Sequence, residues 1–180
     1  MLKRTLCLTG NPNCGKTTFF NDLTGANQRV GNWPGVTVER KEGAFQVEDW
    51  QITLVDLPGI YSLDALDGQT GLDETVARDY LLSNEADLVV NIVDASNLER
   101  NLYLTTQIME MRLPMVVVLN MTDVARDRGL KINPVMVSQR LGCPVIPVEA
   151  SRSQGIADLK QVLDLALQNP TKPRPYEANQ

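Results

Sequence analysis

The sequence predicts a three-layer α/β fold: a six-stranded, mostly parallel sheet between about five helices. Three observations carry this. Apolar runs alternate with helix-period segments along the chain, the pattern of a parallel sheet covered on both faces. The connection Glu48-Asp49-Trp50 between two of those runs allows only a hairpin, so one edge strand should be antiparallel. The segment Gly10-Asn11-Pro12-Asn13-Cys14-Gly15-Lys16-Thr17 fits G-x-x-x-x-G-K-[ST], and it lies between the apolar Leu6-Cys7-Leu8 and a helix-capable stretch, 17–23.

In chain order, strands are expected at 3–9, 38–47, 51–56, 86–93, 114–120 and 143–149, and helices at 16–24, 73–83, 98–111, 134–141 and 155–167. Stretches 25–37 and 57–72 lack periodicity and are long for loops in a compact α/β domain, where such loops often carry function. The tail Asn169-Pro170-Thr171-Lys172-Pro173-Arg174-Pro175 cannot form a regular helix or a central strand. A single domain over 1–168 is therefore expected, with 169–180 as a proline-rich linker and the chain cut from something longer.

Composition agrees. The 180 residues suffice for one domain with a sizeable core, and 43% hydrophobic with 22% charged content is ordinary for a globular protein. A net charge of −5 and a pI near 4.8 speak against a nucleic-acid partner. No apolar run approaches the roughly 18 residues of a membrane-spanning helix, and the N-terminus lacks a signal-peptide apolar region, so a cytoplasmic domain is expected. The chain has no histidine, and Cys7, Cys14 and Cys143 are scattered, which argues against a zinc site or a disulfide framework. Cys7 and Cys143 read as core residues, and Cys14 as an inert loop residue rather than a redox-sensitive thiol.

The motif at 10–17 is a phosphate-binding loop (P-loop), and it makes the expected fold that of a P-loop NTPase. Glycines let successive N–H groups face one anion, and the following helix points its positive end there. Lys16 adds charge near the β- and γ-phosphates, and Thr17 offers a hydroxyl to Mg²⁺. Asp56-Leu57-Pro58-Gly59 fits D-x-x-G at the carboxyl end of the strand Ile52-Thr53-Leu54-Val55, the sheet edge where ligands bind. Asp56 can hold Mg²⁺ through water, and the Gly59 N–H can approach the γ-phosphate. A second match, Asp22-Leu23-Thr24-Gly25, falls inside a helix.

Asn120-Met121-Thr122-Asp123 fits N-x-x-D after the run Val116-Val117-Val118-Leu119. A carboxylate there can accept from guanine N1–H and the exocyclic amine together, a donor pair that adenine lacks. Decoys at Asn84–Asp87 and Asn91–Asp94 lie before or within a strand. Glu149-Ala150-Ser151-Arg152 ends the last strand at the same edge, where a backbone N–H of Ser151 can meet guanine O6. Gly35-Val36-Thr37 lies in the first long loop, and Thr37 can give its hydroxyl to Mg²⁺ and its N–H to the γ-phosphate, which makes that loop a switch. The expected nucleotide contacts thus cover Gly10 to Thr18, Gly35 to Thr37, Asp56 to Gly59, Asn120, Met121, Asp123 and Ala150 to Arg152.

In this order the elements resemble the Ras-like and Era-like small GTPases. The stretch Gln28-Arg29-Val30-Gly31-Asn32-Trp33-Pro34-Gly35-Val36-Thr37-Val38-Glu39-Arg40-Lys41 is more particular. With Asp56-Leu57-Pro58-Gly59-Ile60-Tyr61-Ser62 and Val93-Asp94-Ala95-Ser96-Asn97-Leu98-Glu99-Arg100-Asn101-Leu102, it resembles the N-terminal G domain of the FeoB family of bacterial ferrous iron transport proteins over residues 3 to 167.

The resemblance implies a GTPase head, binding GTP and GDP with Mg²⁺, on an inner-membrane protein that couples GTP to Fe²⁺ uptake. A helical domain and the membrane part would follow, and small cytoplasmic Feo accessory proteins and an oligomer are implied as partners. It also implies K⁺ against the phosphates, held by Asn13 and by carbonyls around Gly31 and Trp33, in place of an arginine finger. Asn13, Lys16, Thr37 and Gly59 would then act on the reacting phosphate. Ile60 stands where Ras-like enzymes carry a water-orienting glutamine, so hydrolysis should be slow, and Met121 replaces the usual lysine over the base. A slow switch working by state-dependent binding, or another Era-like GTPase acting on ribosome or tRNA, are the alternatives. Trp50 reads as a packing residue. Asp64, Asp67, Asp73 and Glu74 read as solvated charge rather than an Fe²⁺ site.

Overall fold

The computed structural model describes residues 1–64, 70–149, 152, 154–170 and 172. Strand β1 (Leu2–Gly10) leads into α1 (Lys16–Thr24). Three strands follow: β2 (Gln28–Asn32), β3 (Glu39–Val47) and β4 (Trp50–Asp56). Then come α2 (Leu72–Leu82), β5 (Leu88–Asp94), a 3-10 turn (Ala95–Asn97), α3 (Leu98–Glu110) and β6 (Met115–Asn120). The chain closes with α4 (Thr122–Asp127), α5 (Pro134–Leu141), β7 (Val145–Pro147) and α6 (Ile156–Gln168).

The sheet order is β2-β3-β4-β1-β5-β6-β7. Among the described strands only β3 runs against the others, because it pairs antiparallel with both β2 and β4. The expected hairpin is present, with Val47 opposite Trp50 and Glu48 in the left-handed region at φ +46°. Two expectations are corrected. The described residues hold seven strands, and the antiparallel strand is not an edge strand. The additional strand, β2, lies in the stretch 25–37, and all five of its residues are exposed. Backbone pairing alone defines it, so it leaves no hydrophobic period to read. A sixth helix, α4, is too short for periodicity.

Alternation along the central strands splits the core into two layers. Leu6 and Leu8 of β1 face α1 and α6, packing with Phe19, Phe20, Leu159 and Leu163. Cys7 faces α2 and α3, with Ala77, Leu81, Leu104 and Ile108. Burial on both faces is why these strands read as unbroken apolar runs. Trp50 is a packing residue, as expected. It is 7% exposed, its Nε1 donates to Asp164 of α6 at 2.8 Å, and the Arg4 guanidinium lies 4.9 Å from its ring. Cys7 and Cys143 are buried in the second layer. Most of the expected linker, and Asp67, lie outside the described residues.

Gly43 of β3 lies against α1 so closely that an added Cβ would stand 2.6 Å from Thr24 Cβ. Gly43→Ala should therefore destabilise the fold by about 1–3 kcal/mol, read as a lower denaturation midpoint at unchanged slope.

Candidate functional site

The chain leaves the sheet at Gly10 and re-enters helix at Lys16. Close approach shapes the loop between them. A Cβ on Gly10 would meet Cys14 Sγ at 2.7 Å and the Ile92 carbonyl oxygen at 2.8 Å. Asn13 at φ +62° and Gly15 at φ +95° bend the loop through the left-handed region, which glycine enters without strain. The Cys14 N–H donates to the Asn11 carbonyl at 3.3 Å.

Register brings the D-x-x-G segment to this loop. Leu8 of β1 pairs with Asp56 of β4, the Leu57 N–H donates to the Leu8 carbonyl at 2.9 Å, and the Ile60 N–H donates to the Gly10 carbonyl at 3.1 Å. Gly59 then abuts Pro12, where a Cβ would stand 3.2 Å from the proline Cα. The Lys16 ammonium reaches across, ion-paired to Asp56 and donating to the Leu57 carbonyl at 2.7 Å.

These contacts enclose an open cavity of about 500 Å³, lined by Asn11, Pro12, Asn13, Gly15, Lys16, Thr17, Thr18, Gly59 and Met121. Asn13, Thr17 and Thr18 are exposed to it. Asn11 contributes to the lining, yet both atoms of its side-chain amide are buried without a protein partner. Such an orphaned group marks a ligand or water site more often than a packing fault.

Other expected residues stand apart. Cys14 and Leu57 turn into the core, each 1% exposed. Gly31, Trp33, Gly35, Val36 and Thr37 are absent from the lining among the described residues, and Thr37 is exposed. Trp33 is buried in the second core layer instead. Its ring meets Tyr80 of α2 edge-to-face at 5.4 Å, under the Arg40 guanidinium at 4.4 Å. Ile60 is 1% exposed in the second core layer, away from the cavity.

The N-x-x-D segment is tied to the phosphate loop by Asn120, expected from sequence as a nucleotide contact. Asn120, at the end of β6, donates through Nδ2 to the Cys14 carbonyl at 3.0 Å and fills the space a side chain on Gly15 would need. Met121 follows at φ +58°, and Asp123 is half-buried in the first turn of α4.

Glu149 was given no role of its own in the segment 149–152. It is 8% exposed and accepts from Thr122 Oγ1 at 3.3 Å and Arg126 at 3.1 Å, with Arg152 at 3.7 Å. The Arg152 N–H also donates to the Glu149 carbonyl at 2.9 Å. Glu149 thereby joins α4 to the final loop, and an acidic residue closing the last strand was the available signal. Ala150 and Ser151 lie outside the described residues.

The decoys have local duties. Asn91 is buried in β5 and accepts from Thr105 Oγ1 at 2.6 Å, and Asp94 caps the 3-10 turn through the Ser96 N–H at 2.8 Å. Among the described residues, no three His, Cys, Asp or Glu side chains converge as a metal centre would need.

A family model described as Ferrous iron transport protein B matches residues 4–163. The chain is 59% identical over 164 residues to the Fe(2+) transporter FeoB of Shigella flexneri, covering 91% of this chain but 21% of that protein. It spans about a fifth of the length of the curated relatives it matches. The cytosolic domain of L. pneumophila FeoB superposes with a TM-score of 0.91 at 47% identity, over 98% of this chain and 74% of that one. A mutant of S. thermophilus NFeoB bound to GDP gives a TM-score of 0.82 at 49% identity, over 95% of this chain and 63% of that one.

All three thiols are buried. Burial pushes Cys14 up from the ordinary 9.0 to about 11, against the opposing pull of Lys16, and pushes Cys7 and Cys143 to about 12. The folded thiols therefore keep protons that the unfolded chain gives up near pH 9.0. Stability present below that pH should fall as pH rises through about 11 to 12. At pH 8 a thiol-labelling reagent should find no fast-reacting cysteine in the native protein and three after denaturation.

Proposed function

This chain belongs to the Ferrous iron transport protein B family, and on that premise we propose that it binds GTP and GDP and hydrolyses GTP to GDP and phosphate. It would do so with Mg²⁺ and K⁺, as the cytoplasmic nucleotide-operated part of a longer inner-membrane protein that takes up Fe²⁺. The helical and membrane parts of that longer protein are its proposed partners. The observation that supports this most is the single cavity where Asn13, Lys16, Thr17 and Gly59 meet at the sheet edge.

Lys16 has two claims on its ammonium. In this structure it rests on Asp56 and the Leu57 carbonyl. A triphosphate in the cavity offers denser negative charge, so Lys16 turns to the β- and γ-phosphates and frees Asp56. That the Asp56 carboxylate already draws a cation fits it for a divalent one, to which the Thr17 hydroxyl at the cavity would add a second ligand. Asn13 presents an exposed amide at the cavity, a hard oxygen donor suited to K⁺. The Gly31 and Trp33 carbonyls reach that position only if 31–37 is drawn over the phosphates. Bound cations would neutralise charge developing on the phosphate oxygens, the role an arginine finger has elsewhere.

Thr37 donates its N–H to the γ-phosphate once its loop closes, and Gly59 donates its own from the opposite side. Asp123 accepts from guanine, Met121 covers the base, and the backbone N–H of Ser151 meets O6. Ile60 lies in the core, so no side chain at that position holds the attacking water, and hydrolysis is slow. That observation also favours a second reading, a switch whose work is state-dependent binding with hydrolysis as a slow reset.

Single-turnover hydrolysis in K⁺ against Na⁺ should be several-fold faster in K⁺, and Asn13→Ala should lose the difference. Equal rates for the native protein in both salts would remove the K⁺ role. Asp123→Ala should lose at least about tenfold of the preference for GTP over ATP, roughly one charge-assisted bond pair. A preference retained in that variant would sink the assignment of guanine to Asp123.

A further inference from the structure

The segment that follows Gly59 is fastened to α3 side chain by side chain. Gln107 accepts from the Leu63 N–H through Oε1 at 2.7 Å. Its Nε2 donates to Asp64 Oδ2 at 2.7 Å and to Ser62 Oγ at 3.2 Å. Ser62 Oγ also accepts from the Asp64 N–H at 3.0 Å, closing the group on itself. Two turns earlier on the same helix face, the Arg100 guanidinium lies 4.1 Å from the Tyr61 ring centroid. Four consecutive residues, 61–64, are thus held to one face of α3. Immediately before them, Ile60 is tied by its N–H to the Gly10 carbonyl. Gly59 sits at the cavity directly upstream of this run, against Pro12.

We propose that Gln107 is a positioning residue for the γ-phosphate: by fastening 62–64 to α3 it holds the Gly59 N–H at the cavity before the triphosphate arrives. The proposal rests on the guanine-nucleotide reading above. A neutral amide suits the position because it must accept from one N–H and donate to a hydroxyl and a carboxylate together. Alanine abolishes all three bonds. Glutamate keeps the acceptor for Leu63 but sets a second carboxylate against Asp64. GDP has no γ-phosphate and makes no use of Gly59, so the loss should be confined to the triphosphate. A role limited to holding the fold together would weaken both nucleotides alike.

The test is equilibrium binding of fluorescent GDP and of a non-hydrolysable fluorescent GTP analogue to the native protein, Gln107→Ala, Gln107→Glu, and the double variant Gln107→Glu with Asp64→Asn. Both single variants should bind the GTP analogue about tenfold more weakly, with GDP changed by less than about twofold. The double variant, in which the asparagine amide can donate to the new carboxylate, should recover most of the loss. If the native protein binds both nucleotides and Gln107→Ala binds both as tightly, or loses both equally, the positioning role is overturned while the nucleotide reading stands. If the native protein binds neither, that reading falls and the proposal with it.

Discussion

The parallel pairing of β1 with β4, and the register at which it stops, is the constraint on which the site depends. Leu8 opposite Asp56 sets the end of β4 one residue from the Leu57–Leu8 bond and four from the Ile60–Gly10 bond. A slip of one residue would turn the Asp56 side chain to the other face of the sheet. With the register as it is, Lys16 at the head of α1 reaches the Asp56 carboxylate, and Gly59 closes on Pro12. The ion pair between Lys16 and Asp56 consequently crosses between two chain segments 40 residues apart.

That arrangement is rigid because of what lies behind it. The central strands are buried on both faces, so their carboxyl ends are presented by a scaffold with little freedom to shift. Asn120 adds a cross-link from β6 to the phosphate loop, and Glu149 adds one from the final loop to α4. The ends of β6 and α4, the final loop and the phosphate loop are thereby mechanically one unit. The stretch 31–37 is built differently. It hangs from the exposed strand β2 and is held by Trp33 seated on Tyr80 beneath Arg40. A segment whose side chains are exposed apart from Trp33 and the partly buried Val36 is less firmly anchored than the strands behind the site.

Legibility followed the physics of each feature. The helices α1, α2, α3, α5 and α6 and the central strands were readable because each buries an apolar face whose period survives in the sequence. The P-loop, Asp56-Leu57-Pro58-Gly59 and Asn120-Met121-Thr122-Asp123 stood out in the sequence because each sets particular residues at fixed spacing at the end of a strand, and the structure places all three at one sheet edge. β2 was not, since Gln28, Arg29, Val30, Gly31 and Asn32 contribute backbone bonds and no buried side chain. The bonds from Gln107 to 62–64 and from Asn120 to Cys14 were equally hidden. They join residues more than 40 positions apart, and nothing in local composition records which distant partner a polar side chain will meet.

On the proposed reading, Lys16 is the cation of a phosphate site and rests on Asp56 until phosphate displaces it. Titration of Lys16→Ala with GDP in the presence of Mg²⁺, alongside the native protein and with the fold followed by circular dichroism, tests it most directly. The affinity should fall by on the order of a hundredfold, the scale of a charge-assisted bond to phosphate, with the spectrum unchanged. GDP affinity within twofold of the native protein would contradict it.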